Sequence, residues 1–178
     1  MSALTLDHLI RLLQEYVRHT QSQLALLLIG RLALYAYGHE NPQTEDLDAE
    51  IVGDFDRLVA FLKQRHILTN LSENISGWSV VAMPPGYRER ATVYYEQSGL
   101  RIRLLAPVDF VIAKLRRGTE LDLEDAVFVA RKFEVSSGAV RAAAESAVAA
   151  SPKDTALFAF RQTVELFCRR LPDGIGKG

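Results

Sequence analysis

The spacing of apolar residues along the chain predicts an alternation of helices and strands. Apolar residues between Leu6 and Val17 recur at helical spacing behind Thr5, a residue type that caps helices, so a first helix is expected to end near His19. The continuous apolar run LALLLIG has the length of a buried strand and closes at Gly30. The following RLALYAYG suits a short helix, which gives the order strand, glycine turn, helix.

The stretch TEDLDAEIV, residues 44–52, reads as a second strand with an acidic face. Side chains alternate along a strand, so Asp46, Asp48 and Glu50 point to one side and the apolar residues between them to the other. Two aspartates one residue apart are a way of holding a divalent metal with hard oxygen ligands. The alternative is an exposed strand face that is acidic by chance, and for Glu50 solvent exposure is the preferred interpretation.

The middle of the chain changes from helical to β-rich spacing. Asp54 is placed to cap a helix over residues 55–62. Beyond Ile67, the runs WSVVAM, ATVYYEQ and LRIRLLA are typical of strands, and the turn-forming segments PPGY and QSGL separate them. This region is therefore predicted to be antiparallel.

The last third of the chain is predicted to be helical. Pro107 suits the first position of a helix that Gly118 ends. Asp122 is placed to cap the next helix, with Asp125 in its first turn. Two more helices follow, the second of them starting at Ser151 and Pro152. The expected fold class is α/β (α+β), a mixed sheet flanked by helices, with residues 1–106 as the core and a helical region 107–178 packed on it as one compact unit.

Composition narrows the class of protein only slightly. The 178 residues carry 21 basic and 22 acidic side chains, so no overall charge indicates a nucleic acid or a membrane as partner. A single cysteine excludes an internal disulfide, and no signal-like segment opens the chain, so a cytoplasmic location is expected. Apolar runs are shorter than the ~20 residues that cross a bilayer.

The glycine turn and the acidic strand together suggest nucleotide chemistry. Backbone amides at the start of a helix bind phosphate, and Gly30 would let phosphate approach the backbone. The neighbouring acidic strand would hold a metal that bridges the same phosphates. Each signal alone has an ordinary explanation, a turn in one case and chance in the other.

The segment LLLIGRLALYAYGHENPQTEDLDAEIV resembles the first motif of the minimal nucleotidyltransferase superfamily, in which Gly-[Gly/Ser] precedes a helix and Asp-x-Asp follows on the next strand. The later PVDFVIAKLRRGTELDLEDAVFVA resembles the second half of bacterial nucleotidyltransferase-like proteins related to AbiEii-type toxins. The two segments lie in the same order as in the family, between about Leu24 and Ala130. The resemblance implies a nucleotidyltransferase-like fold for the core.

The resemblance also implies roles for particular residues. Asp46 and Asp48 would bind Mg²⁺ or Mn²⁺, and Gly30 with its flanking amides, together with Arg31, would meet the phosphates of an NTP. Lys114 would match the family lysine that meets phosphate charge, and Asp122 or Asp125 the late catalytic aspartate. The implied site residues are catalytic Asp46, Asp48, Lys114, Asp122 and Asp125, with Gly30, Arg31 and Lys114 binding nucleotide.

Each of these residues has a structural alternative, and two departures from the family pattern stand out. Asp122 is equally well explained as a helix cap, and Asp125 as an acid that interacts favourably with the helix dipole. Lys114, beside Arg116 and Arg117, is typical of an exposed cationic face. Arg31 replaces the second small residue of the family motif. No clear third carboxylate is present, because the strand chosen for it, LRIRLLA, carries arginines.

Two functions therefore follow from the resemblance. The first is a metal-dependent nucleotidyltransferase that transfers NMP from an NTP to an RNA or protein hydroxyl, as a component of a toxin–antitoxin or phage-defence system. The alternative is a catalytically degenerate member that binds a protein partner such as an antitoxin. Seven basic residues would form a rim for RNA if the fold gathers them, and homo-oligomerisation is left open. They are Arg88, Arg90, Arg101, Arg103, Lys114, Arg116 and Arg117.

Overall fold

The computed structural model describes residues 4–40, 42 and 44–172. Its helices and strands follow the predicted alternation. The helices are α1 (Leu6–Thr20), α2 (Leu32–Ala36), α3 (Phe55–Gln64), α4 (Tyr87–Arg90), α5 (Pro107–Arg117), α6 (Glu120–Lys132), α7 (Ser137–Ala149) and α8 (Ala156–Cys168). The strands are β1 (Leu24–Leu28), β2 (Asp46–Val52), β3 (Leu68–Ser72), β4 (Thr92–Gln97) and β5 (Leu100–Leu104), and a 3₁₀ turn covers Ile75–Trp78.

The strands form one mixed sheet in the order β3-β2-β1-β5-β4. β1 runs antiparallel to β2 and parallel to β5, and β2 runs parallel to β3. The β4–β5 hairpin is antiparallel, as QSGL predicts, with Ser98 and Gly99 at positive φ in its turn. The α/β class with a mixed sheet and a helical C-terminal region is confirmed.

The chain divides into two compact units, one of Met1–Ile75 with Ala91–Leu104 and the other of Ser76–Arg90 with Leu105–Gly178. The first, here called the sheet unit, holds the five strands with α1, α2 and α3. The second, here called the helical unit, holds α4 to α8. Residues 76–90 come before the predicted boundary at 106 in the chain, and they group with the C-terminal helices.

In the sheet unit, the apolar side chains of β1, β2 and β5 build the core. Leu26, Leu47, Ile51 and Ile102 are at most 1% exposed. α1 is held at its start by Thr5, whose hydroxyl accepts from the backbone N–H of His8, as predicted. Its buried face lies toward β5, and the ring of Tyr16 meets Phe61 of α3 edge to face.

In the helical unit, α5 to α8 share an apolar core. Pro107 begins α5, and Gly118 ends it in the left-handed conformation, as predicted. The start of α6 differs from the prediction, because Thr119 rather than Asp122 is the N-cap. Asp122 is the third helical residue and accepts the backbone N–H of Thr119, which completes a capping box. α8 begins at Ala156, later than the predicted Ser151.

The segment WSVVAM, predicted to be a strand, is not one. After the 3₁₀ turn its backbone pairs with side chains instead of with a neighbouring strand. Arg116 donates to the carbonyl of Val81 at 2.7 Å and to that of Ser76, within the 3₁₀ turn, at 2.9 Å, and the N–H of Ala82 donates to Ser151 Oγ at 2.8 Å. Because these side chains satisfy hydrogen bonds of the segment's backbone, the segment does not need to pair with a strand, and its apolar Val81 is buried outside the sheet.

Candidate functional site

One face of the sheet carries a row of polar side chains. On β2 the apolar Leu47, Ala49 and Ile51 are buried, so the alternating Asp46, Asp48 and Glu50 share the other face, as predicted. The strand register brings polar residues of neighbouring strands onto this same face. They are Asn70 and Ser72 of β3, opposite Asp48 and Glu50, and Arg101 and Arg103 of β5.

Asp46 and Asp48 are half-buried and converge on one amide. The side-chain nitrogen of Asn70 donates to Asp48 Oδ1 at 2.7 Å and approaches Asp46 Oδ2 at 3.4 Å. Thr44 supports Asp46, since its hydroxyl donates to Asp46 Oδ1 at 2.9 Å. The structure therefore brings the two predicted aspartates together in one hydrogen-bonded group, here called the acidic site, formed by Thr44, Asp46, Asp48 and Asn70.

Gly30 lies directly against the acidic site. A Cβ placed on Gly30 would lie 2.7 Å from both Cβ and Cγ of Asp48, and closer still to one carboxylate oxygen. Glycine is therefore required here by the approach of Asp48 to the backbone at the end of β1. α2, which follows, has five residues, so it supplies only a small helix dipole for phosphate. Arg31, which lies between Gly30 and the start of α2, is half-buried.

Glu50 is not solvent-exposed, and the preferred interpretation of it was wrong. It is 5% exposed, and one of its carboxylate oxygens accepts the backbone N–H of Ile75 at 3.0 Å. Ile75 is the first residue of the 3₁₀ turn, whose early N–H groups have no partner within the turn. Glu50 therefore caps that turn, so its carboxylate has a structural role at one end of the acidic face.

The strands that flank β2 are β3 and β1, so the segment LRIRLLA, in which a third carboxylate was sought, is not next to the aspartates. LRIRLLA forms β5, which pairs with β1 on the side away from β2. The residue paired with Asp48 is Asn70, an amide. Sequence reasoning missed it, although the alternation in LTNLS puts a polar residue at that position. The parallel pairing of β2 and β3 could not be read from local spacing.

The donor set of the acidic site fits a hard divalent cation in type, although it is small. The two carboxylates are ligands that Mg²⁺ accepts, and so is the amide oxygen of Asn70 once that side chain turns; Mg²⁺ is commonly held by one or two carboxylates together with substrate phosphates. Among residues 4–40, 42 and 44–172, no three His, Cys, Asp or Glu side chains gather as a metal-binding group. The side chains of the acidic site thus suit a metal that receives its remaining ligands from a bound nucleotide.

Lys114, Asp122 and Asp125 come together in the helical unit. The ammonium of Lys114 lies 2.9 Å from Asp125 Oδ2 and 3.4 Å from Asp122 Oδ1. All three side chains are buried, so Lys114 does not belong to an exposed cationic face, and that alternative was wrong. Arg117 adds two hydrogen bonds of 2.6 Å to Asp122.

Hydrogen-bond donors and positive charges around Asp122 lower its pKa. Burial raises the pKa of a carboxyl, but hydrogen bonds from Arg117 and Thr119 and the charges of Lys114 and Arg117 outweigh it and lower the pKa of Asp122 from 3.8 to about 2. Asp122 therefore stays ionised at neutral pH and closes the start of α6. This arrangement has the contacts of a structural ion-pair network.

Several of the cations expected at an RNA rim are engaged within their own unit. The contacts are Arg90 with Asp109, Arg101 with Glu96, Arg117 with Asp122, and Arg116 with backbone carbonyls. Burial lowers the pKa of Arg116 to about 10. These contacts offset much of the positive charge that the sequence suggested.

Comparison with known proteins returns one family. A family model described as "Nucleotidyltransferase of unknown function (DUF6036)" matches residues 4–160. Neither the curated proteins nor the solved structures contain a match to the chain. No helix within the described ranges has both the length and the apolar composition needed to cross a membrane.

Proposed function

The chain belongs to this family of nucleotidyltransferases of unknown function, and we propose that it transfers a nucleoside monophosphate from an NTP to a hydroxyl of an RNA or a protein. The observation that carries the proposal is the acidic site, in which Asp46 and Asp48 converge beside the Gly30 turn. The relation to AbiEii-type toxins stays a prediction.

The proposed metal is Mg²⁺ or Mn²⁺, held by Asp46 and Asp48. When bound, it would supply positive charge to the phosphates and to the leaving group. The contribution of the chain is to aim the two carboxylates. Thr44 and Asn70 fix their orientation through hydrogen bonds, and Gly30 leaves space for Asp48 against the backbone.

In the proposed reaction the acceptor oxygen forms a bond to the α-phosphorus of the NTP. The bond between that phosphorus and the oxygen leading to the β-phosphate breaks, and pyrophosphate leaves. The proton of the acceptor hydroxyl passes to a carboxylate oxygen of the Asp46–Asp48 pair, the acids that the sheet unit offers at the acidic site.

The catalytic roles predicted for Lys114, Asp122 and Asp125 stay predictions. Their mutual contacts support a structural role, because the ammonium of Lys114 is already shared by two buried carboxylates. We therefore base the proposed chemistry on Asp46 and Asp48, and on Gly30 and Arg31 for the phosphates.

The alternative function, a degenerate nucleotidyltransferase that works through a protein partner, is favoured by one observation. The residue paired with Asp48 on the neighbouring strand is Asn70, which adds no negative charge to the site. A degenerate protein would keep the fold and its partner while transferring nothing.

Transfer of label tests the proposal against this alternative. Protein with Mg²⁺ or Mn²⁺ and each α-labelled NTP is mixed with total cell RNA and, separately, with cell protein. We expect labelled acceptor from one pool with wild type and with the control Asp56→Asn, which removes an exposed carboxylate of α3. Asp48→Asn should give none. Transfer of label by Asp48→Asn would contradict the assignment of the acidic site as the active site. Absence of label with every protein would favour the degenerate alternative.

The cellular role, as a toxin–antitoxin or phage-defence component, is proposed on the resemblance alone. A toxin that modifies cellular RNA or protein is expected to arrest growth when its expression is induced. Growth arrest with wild type and normal growth with Asp48→Asn are the expected results, and equal growth with both proteins contradicts the toxin role.

A further inference from the structure

Asn70 is the member of the acidic site that neither the sequence pattern nor the family assigns. The parallel register of β2 and β3 sets it opposite Asp48, and its amide nitrogen points between the two carboxylates, 2.7 Å from Asp48 Oδ1 and 3.4 Å from Asp46 Oδ2. Carboxylates only accept hydrogen bonds, so the nitrogen rather than the oxygen of the amide must face them.

We propose that Asn70 is a positioning residue that holds Asp46 and Asp48 in place without a metal and keeps their affinity for a divalent cation low, so that the cation binds together with the nucleotide. This inference rests on the proposed function and deepens it. It names the residue that couples metal and nucleotide at the same site.

The first step of the argument concerns the position of the amide. Two carboxylates that face each other repel, and an opposite charge or a hydrogen-bond donor between them offsets the repulsion. Here one neutral NH₂ group contacts both, so the pair is organised before any metal arrives. A cation that binds the two oxygens contacted by the amide, Asp48 Oδ1 and Asp46 Oδ2, competes with these hydrogen bonds or requires the amide to turn so that its oxygen faces the metal.

The second step concerns charge. The affinity of an oxygen-ligand site for a divalent cation depends on the number of charged ligands. Asp46 and Asp48 supply two negative charges, and the amide adds none, whereas a carboxylate at position 70 would supply a third. Thr44, the remaining member of the acidic site, is also neutral and already donates to Asp46.

The third step concerns the nucleotide. The phosphates of an NTP provide the negative charge and the oxygen ligands that the acidic site lacks, and Mg²⁺ is typically bound in this shared way. Thermodynamic linkage then requires that the nucleotide raises affinity for the cation by the same factor as the cation raises affinity for the nucleotide. Asn70 thereby keeps the affinity of the acidic site for a cation low when no nucleotide is bound.

The test measures Mn²⁺ binding, not activity, from the paramagnetic signal of free Mn²⁺. Wild type, Asp48→Asn, Asn70→Asp and Asn70→Ala are titrated with Mn²⁺ alone and with a non-hydrolysable NTP analogue, and a protein-free titration gives the Mn²⁺ that the analogue itself binds. The control is Asn74→Asp, which adds the same charge at an exposed position just after β3. Thermal unfolding of each variant verifies its fold, and Asn70→Ala keeps the test valid if Asn70→Asp does not fold.

We expect wild type to bind Mn²⁺ at least 10-fold more tightly with the analogue than without it. Without the analogue, Asn70→Asp should bind Mn²⁺ at least 10-fold more tightly than wild type, Asn70→Ala should bind it several-fold more tightly, and Asn74→Asp should match wild type. The inference is overturned if Asn70→Asp binds no better than Asn74→Asp, or if Asn70→Ala binds no more tightly than wild type.

The same titrations separate this inference from the proposed function. If wild type binds Mn²⁺ with the analogue, Asp48→Asn does not, and the Asn70 variants resemble wild type, the inference fails while the proposed function stands. If Mn²⁺ binds to none of the proteins under either condition, the metal-dependent function fails, and the inference fails with it.

Discussion

Replacing Lys114 by methionine distinguishes a structural lysine from one that binds phosphate. The side chain is 6% exposed, and its ammonium lies 2.9 Å from Asp125 and 3.4 Å from Asp122, both of them buried. Methionine has a similar length but no charge, so Lys114→Met takes the shared cation away from two carboxylates in the helical unit.

The expected cost follows from the burial of the network. Removing one partner of a buried ion pair costs about 3–5 kcal/mol. Asp122 keeps Arg117 and Thr119 as donors, so the lower end of this range applies. For a chain of this size, about 3 kcal/mol corresponds to a fall in Tm of about 6–12 °C.

Urea unfolding of the full chain, followed by far-ultraviolet circular dichroism, measures the loss. The control Lys63→Met, at an exposed position of α3, should stay within about 0.5 kcal/mol of wild type. Replacing Asp125 by leucine as well as Lys114 by methionine should recover part of the loss, because no buried carboxylate then lacks its lysine. Wild-type stability of Lys114→Met, together with weaker NTP binding, would refute the structural reasoning and support the phosphate role.

Three further predictions concern single side chains. The pKa of Asp122 is lowered from 3.8 to about 2, so its ionised form contributes about 2 kcal/mol of stability above pH 4 that is lost as the pH falls through 2; urea unfolding between pH 2 and 5 should show a steeper loss of stability in wild type than in Asp122→Asn. Arg116→Met removes two charge-assisted hydrogen bonds to backbone carbonyls and should lower the free energy of unfolding by about 2–4 kcal/mol, measured by the same assay. Gly30→Ala should displace Asp48 and abolish metal-dependent NTP binding in calorimetry, whereas Gly77→Ala, whose Cβ meets nothing within 4 Å, should bind as wild type does.

The local parts of the fold could be predicted from the sequence because short-range rules determine them. Thr5, Asp54 and Pro107 mark helix starts through side-chain caps or a fixed φ, and each lies where the prediction placed it. The acidic face of β2 follows from alternation alone. Each of these features depends on neighbours within a few residues.

The errors concern features that depend on distant partners. The strand expected in WSVVAM is replaced by backbone contacts to side chains far along the chain, Val81 to Arg116 and Ala82 to Ser151. Glu50 is buried because it caps the turn at Ile75, and Asn70 meets Asp48 only because β3 pairs in parallel with β2. No spacing rule reports such long-range pairings.

The most direct test of the central claim, that the acidic site binds a nucleotide with its metal, is equilibrium binding of each NTP by calorimetry in the presence of Mg²⁺. We compare wild type with Asp48→Asn and with the control Asp56→Asn. The account predicts that at least one NTP binds wild type and Asp56→Asn in a Mg²⁺-dependent manner and does not bind Asp48→Asn. Binding of equal affinity to all three proteins, or no binding of any NTP to wild type, would contradict it.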